Sequence, residues 1–399
     1  MNLTLPKRLA SIDVFRALTM LLMIFVNDLW SLKNIPGWLE HVSKEADGMG
    51  LADTVFPAFL FIVGLSIPLA ISNRQQRGGT DRDLLIYIGT RTLALLVMGF
   101  FHVNLENYNR SEALLPKPIW QIAITVGFFL IWLDYSPSMA KGKKRIFQGA
   151  GVLMLVVMAA LFKGGDPGHA SWMRPSWWGI LGLIGWSYLW GSVICLFSRE
   201  RVWVLLAALG FFLMFNIGVD MGWLDDILVI KKYIWVVGDG SMPALTICGV
   251  LVTVLYRRLL AQGKTGLYWL LLTGLALAML CTGFILRPCW GINKIRATPS
   301  WVMICTAISI ACFMGLTWLV DLKGKKNWFS WIAPGGTSTL TAYLLPYIHY
   351  ALLNLLGKAV LLPPALRNGM TGIAKSLIYA MLIIFITGLM ERKRIRLRI

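Results

Sequence analysis

The stretch that decides the fold is residues 51–73, LADTVFPAFLFIVGLSIPLAISN. Its one charged residue, Asp53, stands near the start, and everything after it is apolar, small or weakly polar. An α-helix rises about 1.5 Å per residue, so a helix of this length crosses the roughly 30 Å hydrocarbon layer of a bilayer. Comparable runs recur from end to end, near 9–30, 84–104, 118–133, 147–162, 176–198, 203–219, 241–256, 267–286, 301–320, 337–356 and 373–390. The chain is 57% hydrophobic and only 14% charged, about half the charge of a soluble domain. A soluble reading would leave apolar surface that water does not tolerate. The expectation is an all-α, polytopic helical integral membrane protein with about twelve transmembrane helices. The count is ten to twelve, because residues 225–237 also suit an interfacial or re-entrant segment. No linker or soluble-sized polar segment interrupts the pattern, so residues 1–399 read as one transmembrane domain.

The net charge of +19 suggests nucleic acid at first sight, but topology accounts for it. With the N-terminus inside, the inner segments hold 22 Lys and Arg against 13 in the outer ones. The positive-inside rule then places both termini in the cytoplasm. The tail Glu391-Arg392-Lys393-Arg394-Ile395-Arg396-Leu397-Arg398 contributes most, as a stop-transfer flank that also meets anionic lipid. The first run holds Asp13 and Arg16 and lacks a small-x-small cleavage site, so it reads as a span rather than a signal peptide. Cys195, Cys248, Cys281, Cys305 and Cys312 fall in spans, and Cys289 is alone in an outer loop. There is no CxxC pair, so no disulfide framework or zinc site is expected, and no metal.

Against this apolar background the polar residues stand out. His41 lies in the outer loop between the first two spans, and an imidazole can exchange a proton near neutral pH. Asn27 is eighteen residues beyond Leu9, roughly 27 Å along a helix, and so sits at nearly the same depth. The short connection allows Asn27 and His41 to meet, although an asparagine in a span also serves as glue between helices. Asp13 and Arg16 share a helical face as an ion pair, and Asp53 opens the second span. Arg91 is a cation about one turn into the third span, placed for a phosphate, a carboxylate or a structural partner. Gly335-Gly336-Thr337-Ser338 opens the eleventh span from inside, where free backbone N–H groups attract anions. His102, His169 and His349 are weaker candidates: an interfacial residue, a loop residue and an internally bonded one. The outer tryptophans Trp30, Trp38, Trp172, Trp177, Trp178, Trp223, Trp235 and Trp290 fit an interfacial belt, with a sugar-stacking wall as the alternative.

These residues also carry a family resemblance. Arg8 to Arg16, then Phe25-Val26-Asn27, then Gly50 to Gly64, then Arg91 to Gly99 resemble successive blocks of the heparan-α-glucosaminide N-acetyltransferase family. Weaker echoes occur at Trp178 to Gly185 and Pro334 to Ser338. The strong part covers residues 1–104, and 118–162 looks like an added helix pair. The resemblance implies transfer of an acetyl group from cytosolic acetyl-CoA to an amine, or a hydroxyl, of an extracytoplasmic amino sugar such as terminal glucosamine. It implies that His41 is the essential histidine and that Asn27 lines the same site. It further implies a bacterial homologue in the inner membrane, and a homodimer. The loop between Asn27 and His41 is longer than in that family, which leaves the acceptor open.

Chemically, His41 would act as general base, or would itself carry the acetyl group. Asn27 would donate to the carbonyl oxygen as charge builds there. Arg91, or Gly335, Gly336, Thr337 and Ser338, would hold the phosphates of acetyl-CoA. Asp13, Arg16 and Asp53 would support the site. Without the resemblance, buried Asp, Arg and Asn in a helical membrane protein would suggest a secondary transporter of a small anion or sugar.

Overall fold

The structure is a computed structural model that describes residues 9–225, 238–357 and 363–399. Arg8, Trp235 and nearly all of the proposed re-entrant stretch lie outside the described residues. The described residues form thirteen α-helices and no strand: α1 (Ala10–Asp28), α2 (Leu51–Gln75), α3 (Asp81–Val103), α4 (Lys117–Trp132), α5 (Lys141–Ala160), α6 (Gly179–Ser198), α7 (Val202–Asp220), α8 (Ser241–Ala261), α9 (Thr265–Trp290), α10 (Pro299–Leu316), α11 (Ala333–Thr337), α12 (Thr339–Leu355) and α13 (Gly369–Arg392). Each of the twelve apolar runs corresponds to one long helix. Nine of these, among the described residues, are long and apolar enough to cross a membrane. The other three are α4 with 16 residues, α12 with 17, and α5, whose first turn carries Lys141, Lys143, Lys144 and Arg145. The protein is a polytopic helical membrane protein.

The chain divides into two compact units, residues 1–19, 36–93 and 183–330 in the first and 20–35, 94–182 and 331–399 in the second. In the first unit α2 crosses α8 at near contact distance. A methyl group built on Gly64 would lie 1.9 Å from the Thr246 carbonyl oxygen, and one on Gly249 would lie 2.1 Å from that of Phe61. Only glycine at both places lets the backbones approach this closely, the small-residue packing expected where lipid supplies no hydrophobic drive. Thr253 Oγ1 donates to the Leu65 carbonyl at 2.9 Å and ties the same pair together. Phe61 bridges Phe15 and Phe313 edge to face, with ring centroids 6.5 and 6.4 Å away. By contrast α9 exposes large apolar side chains such as Leu270 and Ile285, as a lipid-facing helix should.

In the second unit α4 and α5 form a hairpin around the fully buried Trp120, whose Nε1 donates to the Met158 carbonyl at 2.8 Å. Phe101, Tyr108 and Phe162 surround that indole. The end of α1 is held by α12 and α13 through Asp28. Its carboxylate pairs with Lys375 at 2.5 Å and accepts hydrogen bonds from Ser376 and Tyr350. A buried carboxylate requires this degree of satisfaction.

Candidate active site

Gly50 precedes α2 in extended conformation, and Asp53 is the third residue of the helix. That position suits a carboxylate, because the first turn leaves backbone N–H groups unpaired and carries the positive end of the helix dipole. Asp53 Oδ2 accepts the backbone N–H of Gly50 at 3.0 Å and that of Val42 at 3.1 Å. Its other oxygen faces His41 Nδ1 at 2.7 Å. The Asp53 backbone carbonyl accepts from Trp301 Nε1 at 3.2 Å. The Asp53 side chain is 1% exposed, whereas that of His41 is 47% exposed. A fixed, buried anion thus meets an imidazole that reaches the surface.

This contact sets the tautomer. A carboxylate only accepts, so Nδ1 carries the hydrogen and the lone pair lies on Nε2. An imidazole held this way is a positioned base, the same division of labour as in aspartate–histidine pairs of hydrolases.

A second loop, from the end of α9 to the start of α10, fixes the segment that carries His41. Asn293 Nδ2 donates to the carbonyls of Ser43 at 2.7 Å and Ala46 at 3.0 Å. Gly48 N–H donates to the Ile292 carbonyl at 2.8 Å, and Ile292 N–H donates to Asp47 Oδ1 at 2.7 Å. Arg287 Nε donates to Asp47 Oδ2 at 2.9 Å. The Ile292 N–H and then Arg287 hold the Asp47 carboxyl below the usual range. Lys294, from the same loop, places Nζ 3.3 Å from His41 Nδ1. Burial pulls the Lys294 ammonium below the ordinary lysine range, against the opposing pull of Asp53.

The residues singled out in the sequence are distributed as follows. His41 and Asp53 come together in the first unit. Asn27 is exposed at the end of α1 and belongs to the second unit. Arg16 bonds Asp13 at 3.4 Å and Ser66 Oγ at 2.5 Å, and Ser66 stands in the interior of α2, well along the helix from Asp53 in its first turn. Arg91 donates to Tyr87 OH at 3.2 Å and covers the Tyr188 ring at 4.9 Å, while its Nε is buried without a partner. Gly335 and Gly336 are buried in the one-turn α11, and Thr337 donates to the Glu391 carboxylate at 2.7 Å. Ser338 follows α11, its hydroxyl buried without a hydrogen-bond partner. His102 is buried rather than interfacial, stacked on Tyr347 at 4.2 Å. His349 bonds Tyr379 at 3.1 Å. Among the described residues no cluster of His, Cys, Asp or Glu could hold a metal ion. Lys294, Asn293 and Asp47 were not legible as site residues: each is a common loop residue, and Lys294 and Asn293 lie some 250 positions from the segment they touch.

A family model described as a domain of unknown function, DUF5009, matches residues 8–237, more than half of the chain. The chain belongs to the DUF5009 family. His41 and Asp53 fall within the matched segment of this DUF5009 protein, and Lys294 falls beyond it. The DUF5009 protein is also similar to heparan-alpha-glucosaminide N-acetyltransferase of Homo sapiens, 40% identical over 108 residues. That match covers 26% of this chain and 15% of the human protein. The corresponding protein of Mus musculus is 38% identical over 105 residues, 25% of this chain and 14% of the relative. The aligned stretch is therefore a small part of either relative.

Proposed function

We propose that this protein is a transmembrane acyltransferase. It takes an acetyl group from acetyl-CoA on the cytoplasmic side and passes it to an amine of an amino sugar, such as terminal glucosamine, on the opposite side. The His41–Asp53 pair carries this reading, since it supplies a positioned base in a protein that is otherwise built for lipid. Similarity to two acetyltransferases named for a glucosaminide acceptor supports the same chemistry.

In the proposed reaction the amine nitrogen attacks the thioester carbon and forms the C–N bond. His41 Nε2 takes the proton that the nitrogen loses, while Nδ1–H goes on donating to the Asp53 carboxylate. The carbonyl oxygen gains negative charge until the C–S bond breaks and the electron pair leaves with sulfur. The resulting thiolate takes the proton from His41, which returns to its starting form. A positioned base of this kind contributes about 10²–10⁴-fold. Asn27 is the proposed donor to the carbonyl oxygen, and Arg91, or alternatively Gly335, Gly336, Thr337 and Ser338, would contact the phosphates. Asp13 and Arg16 support the inner end of α1. The proposed location is the inner membrane, with both termini in the cytoplasm.

The test is release of CoA thiol from acetyl-CoA by purified protein, with and without glucosamine. Glucosamine-dependent release is expected, and His41→Ala should abolish it while leaving acetyl-CoA binding intact. Full release by His41→Ala would remove the histidine from the mechanism. Neither binding nor release by the wild type would overturn the reading in favour of a transporter.

A further inference from the structure

The end of α9 and the loop to α10 bring cations close to the His41 segment, and among the described residues all but one of these are already occupied. Arg287 is bonded to Asp47, and Arg296 donates to the Trp290 carbonyl at 2.8 Å. Lys294 is different. Among the described residues its polar neighbour at hydrogen-bonding distance is His41 Nδ1, 3.3 Å away. That nitrogen lies 2.7 Å from the Asp53 carboxylate and must point its hydrogen there, since two lone pairs at that distance would repel. It therefore offers no lone pair to the ammonium, and the three N–H donors of Lys294 remain unspent beside the base.

The loop holds Lys294 firmly in this place. Asn293, fully buried, bonds two carbonyls of the His41 segment, and its Oδ1 accepts the backbone N–H of Arg296 at 3.1 Å. Thr298 Oγ1 accepts the Asn293 N–H at 3.0 Å. The backbone before Lys294 is thus pinned to the segment that carries the imidazole, and the backbone after it is tied back to Asn293. The charged and titratable groups facing the ammonium are His41, Asp53 on α2 and Cys305 on α10.

We propose that Lys294 is a catalytic residue whose ammonium donates a hydrogen bond to the thioester carbonyl oxygen as negative charge develops on it. The inference rests on the acetyltransferase reading above and adds to it a donor from outside the matched family segment. No covalent change occurs at Lys294. It remains an ammonium throughout, offsets the charge on oxygen while the tetrahedral intermediate lasts, and withdraws when the C–S bond breaks. Such donors act where charge appears only in the transition state, so their removal lowers turnover more than substrate affinity.

The experiment compares wild type, Lys294→Met and Lys294→Arg in the CoA-thiol assay. Lys294→Met should lower kcat by about 10²–10³-fold and leave the KM for acetyl-CoA within a few-fold. Lys294→Arg should recover part of the rate. Wild-type activity should decline on the alkaline side as Lys294 loses its proton, at a pH below that of free lysine. Lys294→Arg should lack this decline, because a guanidinium stays protonated. An unchanged kcat in Lys294→Met, or a loss confined to KM, overturns the proposal. A second readout does not need turnover. Trace acetylation of lysines by acetic anhydride, read by mass spectrometry across pH, reports the protonation of Lys294 directly. Asp53→Asn should move that titration further down, since it removes the anion that favours the ammonium. No movement in Asp53→Asn overturns the coupling. If the wild type releases no thiol, the acetyltransferase reading falls, and the labelling result alone then decides whether Lys294 is the charge partner of the pair.

Discussion

Asp53 spends one oxygen on two backbone N–H groups and the other on His41, so each part of the carboxylate has a separate task. Asp53→Asn exposes that division. The amide cannot accept from Gly50 and Val42 with its NH₂ group, so its oxygen must take that place. The NH₂ group then faces His41 Nδ1 and selects the tautomer with its hydrogen on Nε2, which is no longer a base. Turnover should fall on the order of 10²–10⁴-fold with acetyl-CoA affinity retained, as measured by thiol release and ligand binding. His41 and Asp53 were legible as candidates because an imidazole is scarce in this chain and a carboxylate at the start of an apolar run is costly. Their mutual contact was not read from the sequence, and Lys294 was invisible there. A lysine in a loop gives no local signal of a partner 253 positions away.

The helix that matters most here is α2, and its first turn is crowded. A methyl group built on Gly50 would sit 2.0 Å from the Glu40 carbonyl oxygen, next to His41 in the chain. Backbone rather than a flexible side chain occupies that space, so Gly50→Ala must push the loop aside. A displacement of about 1 Å at a reacting group costs roughly 10²-fold in rate. Gly50→Ala should therefore lose acetyl transfer to about that extent while keeping its helical circular dichroism. At this scale the sequence was informative, since hydrophobic length alone located every long helix among the described residues. It was less so at helix ends: α5 begins at Lys141, earlier than its apolar run, because helix propensity carries the backbone through the basic turn. The one-turn α11 divides from α12 at Ser338, a break that hydropathy does not record.

At the scale of the whole chain, polar groups join segments that lie far apart in sequence. Asp28 and Lys375 are 347 residues apart and meet with little solvent on either side chain. Removal of one partner leaves a buried charge uncompensated, at a cost of about 3–5 kcal/mol. Lys375→Met should accordingly lower unfolding stability in detergent, and Asp28→Asn combined with Lys375→Met should recover part of the loss. A double variant no more stable than Lys375→Met alone would show that the pair is not the source of the effect. Such pairings escape periodicity because no local spacing encodes them. The division into two units, with boundaries inside α1, α3 and α6, escapes it for the same reason.

The attachment of the His41 segment by Asn293 has a consequence for biogenesis. The two partners are separated by 250 residues, and chains enter the membrane from the N-terminus. The loop with the imidazole is therefore made long before the loop that braces it. A nascent chain that has reached only α8 carries His41 and Asp53 but has neither brace nor neighbouring ammonium. On the proposed function, catalytic competence is then a late event of synthesis, reached only when α9 and α10 have followed the segment they brace.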